Sequence, residues 1–179
     1  MLLSICIPTY NRVENLDECL NSIRTSNNLQ TNLKFEVCIS DNGSFEDAKK
    51  VADKYKNFFK IKFNRNEKNI GFALNAIKTV SMAEGKYIWM IGNDDLLLPK
   101  TLERLNLLLS KNPDTEYFFI NSYSLKTKFL ESFSRPIDTN HLPFDKMSSI
   151  SNLKESKHVK FWEIIDPKVS WEFLIGIYL

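Results

Sequence analysis

Short apolar runs alternate with amphipathic stretches along most of the chain. Leu2 to Ile7 is apolar and reads as a strand, followed by the loop Pro8 to Arg12. Val13, Leu16, Cys19, Leu20 and Ile23 then recur at helical spacing, with Asn11 at the N-cap position. Phe35 to Ser40 is a second strand, closed by the turn Asp41-Asn42-Gly43-Ser44. Glu46 to Phe58 predicts a helix with Ala48, Val51, Ala52 and Tyr55 on one face, and Ile61 to Phe63 a short strand. Gly71 to Glu84 predicts a third helix, with Ala73, Ala76, Ile77 and Val80 as its apolar stripe and Gly85 as its stop. A fourth helix after Pro99 carries Leu102, Leu105, Leu108 and Leu109 inward and ends near Asn112-Pro113; Tyr117 to Ile120 is a further strand.

Repeated strand–helix alternation predicts an α/β domain, a mostly parallel sheet with helices on both faces. Ligands bind such sheets beyond the carboxyl ends of the strands. Three polar loops fall at those ends: Pro8 to Arg12, Asp41 to Ser44, and Asn93 to Asp95. They are expected to converge although they lie far apart in sequence.

The run Tyr87-Ile88-Trp89-Met90-Ile91 is bounded by Gly85 and Gly92 and suits a strand covered on both faces. Asn93, Asp94 and Asp95 follow it at once. Two adjacent carboxylates beside an apolar strand end repel each other and are costly to desolvate. A divalent cation would remove that cost, because hard cations prefer carboxylate oxygens; a solvated Asn/Asp turn is the other reading.

After Ser122 the pattern weakens. Lys126 to Ser156 is rich in Ser, Asn, Lys and Pro and has no clear period, while Phe161 to Leu179 is apolar again. Trp162 and Trp171 read as core, His141 and His158 as surface residues, and the final apolar run as a strand, which suggests a shortened chain. The expected division is a core over 1–122 and a partial, poorly patterned acceptor-side region over 123–179.

Composition narrows the class without naming it. The 179 residues suit one domain, and 43% hydrophobic with 26% charged residues is the balance of a globular protein. A net charge of +2 gives no reason to expect a nucleic-acid partner. No run is long enough to span a bilayer, and Met1 to Ile7, with no preceding basic residues, reads as a strand rather than a signal peptide. Cys6, Cys19 and Cys38 read as reduced core thiols, which suits a cytoplasmic protein.

Four segments together resemble one family. Ser4-Ile5-Cys6-Ile7-Pro8-Thr9-Tyr10-Asn11-Arg12 is similar to the opening of family 2 glycosyltransferases of the GT-A (Rossmann-like) fold. Val37-Cys38-Ile39-Ser40-Asp41-Asn42-Gly43-Ser44 resembles their second strand and acidic turn, and Asn69-Ile70-Gly71-Phe72-Ala73-Leu74-Asn75 their Asn-x-Gly helix start. Gly85 to Asp95, followed by Pro99, resembles their metal-binding segment, although Asn93 stands where the family often has Asp. The resemblance covers roughly residues 1 to 120.

The resemblance implies roles. Pro8 and Tyr10 would lie against the nucleotide base, with Asn11 beside them; Asp41 would accept a hydrogen bond from it; Asn69 and Gly71 would border the nucleotide pocket. Asp95 would bind Mn²⁺ or Mg²⁺, and Asp94 would contact the ribose or share the metal. The general base would come from late in the chain, where Glu163, Asp166 and Glu172 are the candidates. The implied activity is inverting transfer of a sugar from a nucleotide-sugar, a UDP-sugar for choice, to a glycan or lipid-linked acceptor in polysaccharide assembly. Peripheral contact with the inner face of a membrane goes with such an acceptor. A nucleotide-binding module without transfer activity is the alternative. An oxidoreductase is disfavoured, since no Gly-x-Gly-x-x-Gly follows the first strand.

Overall fold

A computed structural model of the chain describes residues 1–27, 32–149 and 176–178. Its elements follow the expected order: β1 (Leu3–Thr9), α1 (Val13–Ser26), β2 (Phe35–Asp41), α2 (Ala48–Asp53), β3 (Lys60–Arg65), α3 (Phe72–Val80), β4 (Tyr87–Met90), α4 (Thr101–Lys111) and β5 (Tyr117–Phe119). Beyond them lie β6 (Tyr123–Ser124), β7 (Ser148–Ser149) and β8 (Gly176–Tyr178). The main sheet runs β3-β2-β1-β4-β8-β5, and β6 and β7 form a small antiparallel pair of their own. β1 is parallel to β2 and β4, and β2 to β3; β8 lies antiparallel between β4 and β5. This is the mostly parallel sheet expected from the alternation, and it suits the GT-A fold that the resemblance implies, with the antiparallel β8 added.

The period-2 alternation of the strands sorts two different interiors. Leu3, Ile5 and Ile7 of β1, Phe35, Val37 and Ile39 of β2, and Tyr87 and Trp89 of β4 face one side. There they join Leu16, Leu20 and Ile23 of α1, Ala48, Val51 and Ala52 of α2, and Leu102, Leu105 and Leu109 of α4 in one apolar core. Intervening residues of β1 and β2 face α3. Ser4, Cys6, Glu36, Cys38 and Ser40 are all buried, so this second interior is built from hydroxyls, thiols and a carboxylate.

α3 matches that polar underside and departs from its expected stripe. Its buried residues are Asn75, Ala76 and Thr79, whereas Phe72, Leu74 and Ile77 are 74%, 58% and 65% exposed. Asn75 Nδ2 donates to Ser40 O at 2.9 Å, and Ser40 Oγ donates to Asn75 Oδ1 at 2.7 Å. A hydrophobic-period argument ranks Ala73 and Ile77 inward. Here hydrogen bonding to a polar strand face decides the rotation instead.

Other boundaries moved for local reasons. α2 ends at Asp53, short of the Phe58 expected, and the chain turns through residues 54–58. α3 ends at Val80, so Gly85 is not its cap. A Cβ at Gly85 would stand 2.6 Å from Ser4 N, so glycine is needed there for close approach to β1. β1 runs on through Pro8 to Thr9. Cys6 O accepts from Ile91 N on the β4 side, so Pro8 turns its missing donor to the same side, where the β4 ladder has already ended. All three cysteines are buried free thiols. His141 is exposed, and its Nδ1 lies 2.8 Å from Asp138 Oδ2. His158, Trp162 and Trp171 lie outside the described residues, as do Glu163, Asp166 and Glu172.

Candidate nucleotide and cation site

The three polar loops meet at the carboxyl edge of β1, β2 and β4. Strand register sets this up, with Thr9 of β1 opposite Asp41 of β2. Asn93, after β4, donates its Nδ2 to Thr9 Oγ1 at 2.8 Å, tying the third loop to the first. Asn11 crosses between the first two: its N donates to Ser44 Oγ at 2.8 Å and its Oδ1 accepts from Phe45 N at 2.9 Å. Asn11 sits at φ 50, in the left-handed region that asparagine tolerates better than most residues. It is therefore a cross-link and not the helix N-cap, a position that Arg12 takes without a side-chain cap. Tyr10, beside it, is 38% exposed at the rim, and Pro8 is half-buried.

Asp41 is fully buried, and only one of its two carboxylate oxygens accepts hydrogen bonds. Oδ1 accepts from Ser44 N at 3.1 Å and from Ser44 Oγ. Oδ2 is buried without a hydrogen-bond partner; Arg65 Nε stands 3.5 Å away, and Arg65 Nη2 donates to Ser44 O. A buried acceptor left in that state calls for a donor.

Asn69 and Gly71 border the same edge through a residue given no role above. Asn42 uses its whole amide: Nδ2 donates to Asn69 Oδ1 at 2.8 Å and to Gly71 O at 3.3 Å. Its Oδ1 accepts from Ile70 N at 3.0 Å and Asn66 Nδ2 at 3.1 Å. Asn69 Oδ1 also accepts from Gly71 N at 2.8 Å. Gly71 takes φ 86, which an L side chain resists, and no atom lies within 4 Å of where a Cβ would be. Asn42→Asp would set an acceptor against Asn69 Oδ1 and Gly71 O. We expect a loss of about 1–3 kcal/mol, read as a lower urea midpoint, with faster amide exchange concentrated in residues 66–71.

Asp94 and Asp95 converge on one glycine. A Cβ at Gly92 would stand 2.6 Å from Asp94 Oδ1 and 3.1 Å from Asp95 Oδ2, so the two carboxylates wrap a space that only glycine leaves open. Asp95 Oδ2 accepts from Gly92 N at 2.7 Å, and Asp94 Oδ2 pairs with Arg12 Nη1 at 3.1 Å. Partial desolvation pushes the Asp95 carboxyl up; the Gly92 N–H opposes this and the Asp94 charge adds to it. Burial, then the Asp95 and Asp94 charges, likewise push up the nearby Cys19 thiol, whose Sγ lies 3.8 Å from Gly92 O. The two carboxylates thus face each other across Gly92 with one guanidinium, that of Arg12, beside them.

Among the described residues no group of three or more His, Cys, Asp or Glu could hold a metal by itself. Two carboxylates do fit a Mg²⁺- or Mn²⁺-type site whose remaining ligands are phosphate oxygens and water. Asn93 is not a further ligand of that kind, since its amide is buried on Thr9.

Sequence reasoning passed over Arg12, Asn42 and Arg65. Arg65 ends β3 and Asn66 follows it at the same sheet edge as the three loops, so the rule that drew attention to those loops also covers this fourth strand end. Asn42 was visible only as a turn residue, because its four partners come from a loop far along the chain.

Comparison with known proteins shows which family and fold the chain is similar to. The model of glycosyl transferase family 2 matches residues 4–166. The chain is 43% identical to abequosyltransferase RfbV of Salmonella typhimurium over 116 residues, 64% of this chain and 34% of that protein. It is 35% identical to chondroitin synthase of Pasteurella multocida over 100 residues, 56% of this chain and 10% of that one. Among solved structures, S. aureus TarS 1-349 in complex with UDP-GlcNAc superposes with a TM-score of 0.60 at 26% identity, covering 70% of this chain and 35% of that one. The chain therefore spans well under half the length of these relatives.

Proposed function

The chain belongs to glycosyl transferase family 2, and from that premise we propose that it serves a metal-dependent, inverting transfer of a sugar from a UDP-sugar to a glycan or lipid-linked acceptor. The observation that carries the donor half is Asp41 Oδ2, which accepts no hydrogen bond and has only a long 3.5 Å ion pair with Arg65 Nε, at the edge where Asp94 and Asp95 converge. A uracil imide N–H is a donor of the kind that atom lacks. The likeness to TarS, solved with UDP-GlcNAc, supports the same base.

Each residue then has a task. Tyr10 offers a flat face to the base, with Pro8 and Asn11 shaping the loop beneath it. Asn42 holds Asn69 and Gly71 in place along the pocket. Asp95 and Asp94 would hold Mn²⁺ or Mg²⁺, which supplies Lewis-acid stabilisation of the charge growing on the diphosphate leaving group. The acceptor hydroxyl attacks from the opposite face and gives its proton to a carboxylate, for which Glu163, Asp166 and Glu172 remain the candidates. A single displacement inverts the anomeric centre. No helix among the described residues is long and apolar enough to cross a membrane. We place the work in the cytoplasm, against the membrane's inner face where a lipid-linked acceptor would lie.

Calorimetry tests the donor site: UDP should bind in the presence of Mn²⁺ and poorly without it. UDP release in the presence of donor and acceptor then separates a transferase from a nucleotide-binding module without transfer activity. Asp41→Ala should weaken UDP binding about tenfold, and more than it weakens purine nucleotides. Equal weakening of all nucleotides, or none, refutes the role given to Asp41.

A further inference from the structure

We infer that Arg12 is the resident counter-cation of the Asp94–Asp95 pair and changes partner when a nucleoside diphosphate arrives. The inference rests on the donor-site reading above and adds an order of events to it. Arg12 Nη1 meets Asp94 Oδ2 at 3.1 Å, across 82 residues of sequence. Both side chains are more than half exposed, 57% and 55%, so the pair contributes little stability and is easily broken.

Its placement is nonetheless fixed from behind. Asn11 is clamped to Ser44 and Phe45, and Arg12 O accepts from Leu16 N at 3.0 Å in the first turn of α1. The Arg12 backbone is therefore held at the rim, within side-chain reach of Asp94.

Charge arithmetic argues for an exchange rather than a permanent bond. Two carboxylates face one guanidinium, and Asp95 has no ion-pair partner among the described residues, only the Gly92 N–H. A divalent cation would balance both carboxylates and leave Arg12 without a partner. A diphosphate brings the anionic oxygens that a planar guanidinium binds well. Arg12 thus opposes the cation when it comes alone and favours it when it comes with the diphosphate. Cation and nucleotide become coupled, and by linkage each must strengthen the other to the same degree.

The test uses the 179-residue chain as wild type, Arg12→Ala and Arg12→Lys. Mn²⁺ alone is titrated by the paramagnetic resonance of the free ion, and UDP by calorimetry at saturating Mn²⁺. Arg12→Ala should bind Mn²⁺ alone about fivefold more tightly and UDP about tenfold more weakly, reducing the coupling between them to what direct cation–phosphate contact supplies. Arg12→Lys, which keeps the charge and loses the planar fork, should keep the wild-type weakness toward Mn²⁺ and recover part of the UDP affinity. If neither affinity moves, Arg12 is only a rim ion pair and the inference fails. If both weaken together, Arg12 merely shapes the site and the inference fails again. A wild-type chain that binds neither probe overturns the donor-site reading and this inference with it. Wild-type binding with unmoved variants overturns this inference alone.

Discussion

Asp95→Ala should remove Mn²⁺-dependent UDP binding, weakening it about 100-fold or more, an effect of roughly 3 kcal/mol. The effect is large because this carboxylate carries the greater part of the proposed cation site. Asp94 shares its charge with Arg12, whereas Asp95 meets only the Gly92 N–H at 2.7 Å. Its carboxyl is pushed up by partial desolvation and by the Asp94 charge. Protons therefore compete with the cation at a higher pH than for an ordinary carboxylate, and Mn²⁺ affinity should fall early on acidification. The sign for stability is the opposite of a paired carboxylate. A raised value means that the fold disfavours the ionised form. That penalty is present above the ordinary carboxylate range and relieved as pH drops through the raised value. Asp95→Asn, which still offers an oxygen to the Gly92 N–H, should accordingly lose the cation with no loss of thermal stability near neutral pH. Unchanged UDP affinity in Asp95→Ala by calorimetry would remove this residue from the site.

Glu36→Ala should be the most damaging single change to the fold among these variants, costing about 3 kcal/mol and lowering the melting temperature by roughly 6–12 °C. Glu36 has no solvent-exposed side-chain surface, yet its oxygens gather partners from three separate strands and turns. Oε1 accepts from Ser4 Oγ at 2.9 Å, from Glu84 N at 2.8 Å and from Lys62 Nζ at 3.3 Å, and Lys60 Nζ lies 3.0 Å from Oε2. Both lysines also reach the Glu84 carboxylate, at 3.0 Å and 2.8 Å. Removing Glu36 orphans the Glu84 N–H and loosens the turn that delivers β4. We take the low end of the range for a broken buried pair because Lys60 and Lys62 keep Glu84 and water. Burial alone would raise this carboxyl, but the Glu84 N–H, Lys60, Ser4 and Lys62 together hold it below its ordinary range. Its contribution is therefore full above roughly pH 4 and fades as pH falls through the lowered value. Urea titrations at several pH values check this: the acid limb seen in the wild type should flatten in Glu36→Ala, and Glu36→Gln, which retains an acceptor, should lose less.

Much of the architecture was legible because it follows from local pattern. Apolar runs such as Ile5 to Ile7 and Tyr87 to Ile91, separated by amphipathic stretches, require parallel strands with crossover helices. The meeting of the three loops was legible from topology, since consecutive parallel strands put their ends on one edge. What periodicity could not show was the polar interior beneath α3. Glu36, Ser40 and Asn75 carry no apolar signal, and their burial depends on partners that include residues 35 and 48 positions away. The same blindness hid Asn42, whose value lies entirely in a loop met later in the chain. Arg12 was quoted within a motif, but its role became visible only when β1 and β4 brought it against Asp94.

The two unlike faces of the sheet have a thermal consequence. Heat capacity rises when hydrocarbon meets water and falls when amides, hydroxyls and carboxylates do. Opening the α1 side of this molecule does the first, and peeling α3 away does much of the second. The sum should be a smaller increment than chain length alone suggests, and hence a broader dome of stability against temperature.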